Sequence, residues 1–156
     1  GCLSTLVSQM HRHLIDRNPQ LQSSFPLSAL PDNPALYDLA STLAAGSQVQ
    51  AHEGREPVAL MVVQPGERNS FDQHWIQAKM WEDHRVNMIR RTLAQVANEG
   101  VVEEDGSLSI DGHHITLVYF RAGYTPDDYP TEKEWSARLL LEQAHSVKCP
   151  NIACHL

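Results

Sequence analysis

Apolar positions in the first fifty residues recur at helical spacing. Leu3, Leu6, Val7, Met10 and Leu14 lie on one helical face, which predicts an amphipathic helix over residues 4–16 with one buried stripe. Asn18-Pro19 ends it, and the segment through Ser23, Ser24, Pro26 and Pro31 reads as loop. Asn33-Pro34 then supplies a cap followed by proline at the first helical position. Leu36, Leu39, Ala40 and Leu43 form the next stripe, with Gly46 as its stop.

After a polar connection the period changes. Val58-Ala-Leu-Met-Val-Val63 is a continuous apolar run of strand length, as expected of a central parallel strand covered on both faces. Pro65-Gly66 turns the chain into a helix over residues 70–83; residues 86–89 read as a second strand and 92–98 as another helix. Residues 108–110 and 114–120 flank Asp111-Gly112, a dipeptide suited to a tight hairpin. Thr131 with Glu134 three residues on makes a capping box. It opens a largely buried helix carrying Trp135, Leu139 and Leu140 to about residue 144. Residues 147–149 form a last short strand, with Pro150 opening a further helix. This alternation predicts an α/β fold, a three-layer α/β/α sandwich around a mostly parallel, Rossmann-like sheet. Residues 1–50 form a helical segment packing on a domain of residues 51–156.

Composition narrows the function classes. At 156 residues, with 42% hydrophobic and 20% charged positions, the chain has room for a single core. A net charge of −7 disfavours nucleic acid and anionic membranes, which need a basic stripe. The run from Val58 to Val63 is far too short to span a bilayer. Cys2, Cys149 and Cys154 are an odd set and make no disulfide framework, so a reducing, cytoplasmic setting without a leader is expected. With no initiating Met, and a stop at Leu156 just after a helix start, the chain reads as a fragment of a longer protein.

In open α/β sheets, ligands bind beyond the carboxyl ends of the strands. Three strands deliver polar groups there: Glu67, Arg68 and Asn69 after the first, Arg90 and Arg91 after the second, and Arg121 with Tyr124 after the third. Arginine presents a planar fork of donors suited to a carboxylate, and a helix N-terminus adds unpaired N–H groups. Together they describe a pocket for a small carboxylated ligand. Asn69 and Gln73, four apart, share one helical face. Gly123 permits a sharp turn or close ligand approach after an apolar strand. Plainer roles compete: Asn69 as an N-cap with Asp72 at the third position, Glu67 and Arg68 as a solvated pair, Gln73 as an exposed amide, and Arg90 and Arg91 as structural cations. Cys149, Cys154 and His155, His11 with His13, and His113-His114 lack the spacing of a closed metal site. They read as buried thiols and surface histidines. Trp75, Trp81 and Trp135 are expected in the core.

The segments Glu67-Arg-Asn-Ser-Phe-Asp-Gln73, Ile89-Arg-Arg-Thr92, Val118-Tyr-Phe-Arg-Ala-Gly-Tyr124 and Ala137-Arg-Leu-Leu-Leu-Glu142, followed by Val147-Lys-Cys-Pro150, resemble the eukaryotic glutathione synthetase family in order and spacing. The resemblance extends to Gly1-Cys-Leu-Ser4 and His11-Arg12. It implies the substrate-binding portion of an ATP-grasp ligase, a homodimer that joins γ-glutamylcysteine to glycine with ATP and Mg²⁺. Glu67, Asn69, Gln73, Arg121 and Tyr124 would hold γ-glutamylcysteine, with the backbone around Arg68, Ala122 and Gly123 lining the same site. The ATP and Mg²⁺ sites would lie outside this chain, which alone is not expected to be active. The alternatives are a dimerisation or interaction module, and a ligase that adds another small amino acid in place of glycine.

Overall fold

The computed structural model describes residues 2–154. Its centre is β1 (Val58–Val62), buried at all five positions. Val58, Leu60 and Val62 point into one apolar cluster, and Ala59 and Met61 into another. A strand with both faces covered carries no polar alternation, which is why the sequence shows an unbroken apolar run there. β1 pairs in parallel with β2 (Asn87–Arg91) on one side and with β5 (His113–Phe120) on the other.

β5 is shared lengthwise. Its first residues pair antiparallel with β4 (Leu108–Ile110), which continues to β3 (Gly100–Val102). Its last residues pair in parallel with β6 (Val147–Cys149). A register shift between Val58 and Ala59, opposite Ile115 and Leu117, leaves Thr116 as the extra residue of a β-bulge. Ile115, Val118 and Phe120 therefore reach one cluster while Leu117 reaches the other. The six-stranded sheet is mixed, with a parallel set β2-β1-β5-β6 and an antiparallel extension β4-β3. The hairpin turn is as expected: Asp111 and Gly112 both have positive φ, 52° and 74°, the geometry of a two-residue primed turn.

Helices cover both faces, giving the three layers. α1 (Cys2–Arg17), α3 (Ala35–Val49) and α4 (Ser70–His84) lie on the side of Met61 and Leu117, and α2 (Pro19–Ser24) joins α1 to the loop before α3. α5 (Leu93–Glu99) and α6 (Glu132–Gln143) lie on the side of Leu60 and Phe120. Capping boxes at Thr92/Gln95 and Thr131/Glu134 start α5 and α6. Each satisfies two otherwise orphaned N–H groups.

Several expectations fail, among them the loop expected through Ser23 and Ser24, which lie in α2. Gly46 does not stop α3; the helix runs on to Val49, because a Cβ at position 46 would lie 2.8 Å from Leu117 Cδ1 and glycine allows the helix to approach the sheet closely. The stripe of Leu3, Val7, Met10 and Leu14 on α1 faces outward, and Cys2, Thr5 and Ile15 face inward. Thr5 turns in to serve α3: its hydroxyl donates to Asn33 Oδ1 and accepts the Leu36 N–H at 3.1 Å. Trp75, Trp81 and Trp135, expected in the core, are 40%, 47% and 49% exposed, and Leu139 is exposed as well. On α6 the inward positions are Glu134, Ala137, Arg138 and Leu141. Of the three thiols only Cys2 is buried, and Cys154 is exposed. His155 and Leu156 lie outside the described residues, as does Gly1.

Candidate functional site

Backbone hydrogen bonds gather the carboxyl ends of the parallel strands: Val63 N–H donates to Arg91 O at 3.0 Å and Arg121 N–H to Val62 O at 2.9 Å. The loop after β1 then folds back over this edge. Glu67 anchors it. One carboxylate oxygen accepts the Asn69 N–H at 2.7 Å and the other accepts Gln73 Nε2 at 2.8 Å. The opposite end of the Gln73 amide, Oε1, accepts from an Arg90 guanidinium nitrogen at 3.2 Å. Gln73 is completely buried, not an exposed amide. Asn69 holds the N-cap position of α4 but makes no side-chain cap, so the first-turn N–H groups lack that partner and their partial positive charge faces the strand edge.

Beside this network stands Arg121. Its guanidinium lies 3.8 Å from Asp72 Oδ2 across a loose ion pair, and its Nε is buried with no hydrogen-bond partner among the described residues. Burial pulls the Arg121 pKa down, but Tyr119, a hydrogen bond with Tyr124 and the charge of Asp72 outweigh it and hold the group above its ordinary value. Burial pushes the Tyr119 phenol up to about 12. Burial together with the Asp72 charge pushes the Cys2 thiol up to about 11. Both groups therefore stay neutral near pH 7, so the charges beside them are those of Arg121 and Asp72. Asp72 also accepts the Leu3 N–H at 3.0 Å, which ties α1 to the site.

The turn carrying Arg121 is braced from the α6 side. Gly123 has φ +92°, and its carbonyl accepts from Tyr129 Oη at 3.1 Å. Arg138 donates to the same hydroxyl at 3.2 Å, pairs with Glu142 at 2.7 Å and stacks over the Phe120 ring at 4.1 Å. Asp128 accepts the Tyr124 N–H at 2.9 Å, and Tyr124 Oη donates to Phe120 O.

The structure thus brings Glu67, Asn69 and Gln73 into one hydrogen-bonded network, and Arg121, with Tyr124 and Asp72, into an adjoining one. Arg68 is exposed and stands apart. Ala122 is buried and turns away, lining a cleft of about 350 Å³ with Thr92, Asp128 and Glu134. Two residues are only partly legible in the sequence, where Asp72 reads as a capping residue and Arg90 as a structural cation. The alternation along β2 is the available signal, since Met88 and Arg90 share the α4 side while Arg91 turns to Glu99 at 2.6 Å. A larger cavity, about 900 Å³, opens at the amino ends of the strands. Glu56, Glu103, Glu104 and Asp105 outnumber Arg55 around it and repel a carboxylated ligand, so the strand-end network is the better site for one. Among the described residues, no group of three His, Cys, Asp or Glu could hold a metal ion, and no helix is long and apolar enough to cross a membrane.

Comparison with known proteins identifies the family. Residues 57–156 match the model of the eukaryotic glutathione synthase family. The chain is 44% identical over 156 residues to the chloroplastic glutathione synthetase of Solanum lycopersicum, covering 99% of this chain and 28% of that protein. It is 37% identical over 158 residues to the glutathione synthetase of Dictyostelium discoideum, covering 99% and 33%. With the human glutathione synthetase it shares 33% over 156 residues, covering 100% and 31%. The chain therefore spans about a third of the length of these relatives. The fold is similar, at a TM-score of 0.67 and 13% identity, to a glutathione synthetase-like effector from Globodera pallida, covering 92% of this chain and 31% of that one. With the family model covering more than half of its length, this chain belongs to the eukaryotic glutathione synthase family.

Proposed function

We propose that this chain is the γ-glutamylcysteine-binding part of a glutathione synthetase, an ATP-dependent carbon–nitrogen ligase of the ATP-grasp type that joins the dipeptide to glycine in the full-length protein. The observation that carries this reading is that one strand edge presents both the Glu67 carboxylate, held by Asn69 and Gln73, and an Arg121 guanidinium whose buried Nε has no partner among the described residues. The γ-glutamyl end of the dipeptide bears both an α-ammonium and an α-carboxylate, and this edge offers groups of each opposite sign. Gln73, the Asn69 segment, Tyr124 and the backbone around Arg68, Ala122 and Gly123 complete the proposed site. Residues 51–156 form the substrate-binding domain in this reading, with residues 1–50 packing on it.

The described residues offer no cluster suited to Mg²⁺. The ATP and Mg²⁺ sites are proposed to lie in parts of the protein outside this chain. What this chain contributes is orientation: a carboxylate and a guanidinium on rigid strand ends fix one end of the dipeptide, and fixed geometry lowers the entropic part of the barrier to acyl transfer. Unpaired thiols suit a reducing compartment, for which the cytoplasm is proposed, with the plastid as the alternative raised by the chloroplastic name of the tomato relative.

In the full-length protein, Arg121→Ala is expected to raise the KM for γ-glutamylcysteine by roughly 100-fold, as loss of a desolvated charged partner does, while the KM for ATP is unchanged. An unaltered dipeptide KM would remove the basis of the assignment. A homodimer is also proposed; Phe71, Trp75 and Trp81 lie exposed on one face of α4, a surface suited to a second copy.

A further inference from the structure

We propose that Arg90 is a positioning residue for the dipeptide site, acting through the Gln73 amide; this rests on the assignment of Glu67 and Gln73 to γ-glutamylcysteine. Arg90 and Arg91 are consecutive in β2, so their side chains leave opposite faces of the sheet. Arg91 spends its donors on Glu99 at 2.6 Å, Asp111 at 2.8 Å and Arg90 O at 3.0 Å. Arg90 emerges on the α4 side and donates to Gln73 Oε1 at 3.2 Å.

A primary amide has two chemically different ends and two orientations related by a flip. A guanidinium only donates, so it selects the end bearing Oε1; a carboxylate only accepts, so Glu67 selects the end bearing Nε2, 2.8 Å away. The two partners together admit one orientation. Gln73 is completely buried, so water cannot replace either partner, and loss of Arg90 would leave Oε1 an unsatisfied buried acceptor. The amide then loses the donor that fixes its orientation, and Glu67 loses a firmly placed Nε2 partner. Glu67 would keep only the Asn69 N–H, which holds one of its two oxygens. The carboxylate proposed to meet the substrate would lose its fixed direction. The relay is also electrostatic: a neutral amide joins a cation to an anion, and each bond in the row polarises the next.

The test uses the full-length enzyme and steady-state kinetics with γ-glutamylcysteine, glycine and ATP varied separately. For Arg90→Met, the dipeptide KM is expected to rise about tenfold, the size of one lost hydrogen bond to a charged group. Over the same comparison kcat should stay within about twofold and the other two KM values should not move. In a Gln73→Leu background, which itself raises the dipeptide KM, Arg90→Met should add nothing, because the two residues act as one unit. A full multiplicative effect in the double variant overturns the proposal, as does a uniform change in all three KM values. If Gln73→Leu raises the dipeptide KM and Arg90→Met does not, the role of Arg90 fails and the site stands. If neither does, the site assignment itself fails. Should Arg90→Met not accumulate as folded protein, Arg90→Lys carries the test: a dipeptide KM raised about two- to threefold that disappears in the Gln73→Leu background supports the relay. No effect, or one that persists undiminished in that background, overturns it.

Discussion

Arg121 and Gly123 show how far a single position can be read. The sequence places both just after an apolar strand, and that is enough to aim Arg121 at the carboxyl edge of the sheet. What it cannot show is the bracing of the turn by Tyr129, in the loop before α6, and Arg138 on α6, which meet at Gly123 only in three dimensions. The same holds for Gln73, whose burial depends on Glu67 six residues earlier and Arg90 seventeen later. Gly123 allows a sharp test. Its φ of +92° is strained for any side chain, and a Cβ there would lie 2.9 Å from Tyr129 Oη. Gly66 also has positive φ, +65°, but open space around it, so it isolates backbone strain from contact. Gly66→Ala is expected to cost roughly 1 kcal/mol in urea unfolding of the full-length protein. Gly123→Ala should cost roughly 2–4 kcal/mol and raise the dipeptide KM, because the Tyr129 contact must also yield. Equal costs at the two positions would show that the brace does not confine the turn.

At the scale of elements, local chemistry predicts well wherever it acts within a few residues. The Asp111-Gly112 hairpin and the Thr131/Glu134 capping box are both present, because each is determined by neighbours along the chain. The end of α3 is not legible in the same way because its determinant is distant: Gly46 is a contact with β5, not a stop. Glycine at a helix end and glycine at a close approach look alike in sequence. The two roles predict different responses to substitution. Gly46→Ala gains about 1 kcal/mol of helix propensity and presses on the movable end of Leu117, so its net effect on the unfolding midpoint should be small. Gly46→Leu cannot fit between α3 and the sheet and should cost roughly 2–3 kcal/mol by overpacking. If Gly46→Leu proved as mild as Gly46→Ala, α3 would not be seated on the sheet at that point.

For the molecule as a whole, apolar patterning finds the longer helices but misjudges which way three of them face. Leu3, Val7, Met10 and Leu14 on α1, Phe71, Trp75 and Trp81 on α4, and Trp135 and Leu139 on α6 are all exposed. Periodicity reports an apolar stripe but not its partner, and a stripe that meets another surface has the same spacing as one that meets its own core. On α4 the stripe is well defined: Phe71, Trp75, Ala78 and Trp81 follow at intervals of four, three and three, with His74 beside them. Phe71, 77% exposed, sits one helical turn from Trp75, so the patch is continuous. The opposite side of the helix carries Ile76 and Met80 into the core, and changes on the outer face therefore test association without emptying the interior. A twofold contact between two copies would set this self-complementary patch against itself. Sedimentation of the full-length protein across micromolar concentrations should then give a dimer. Phe71→Glu combined with Trp75→Glu should shift it to monomer, by placing like charges against each other at the symmetry axis, with little change in the unfolding midpoint. A wild-type monomer at every concentration would rule out the second copy, and a variant that stays dimeric would move the interface to another face.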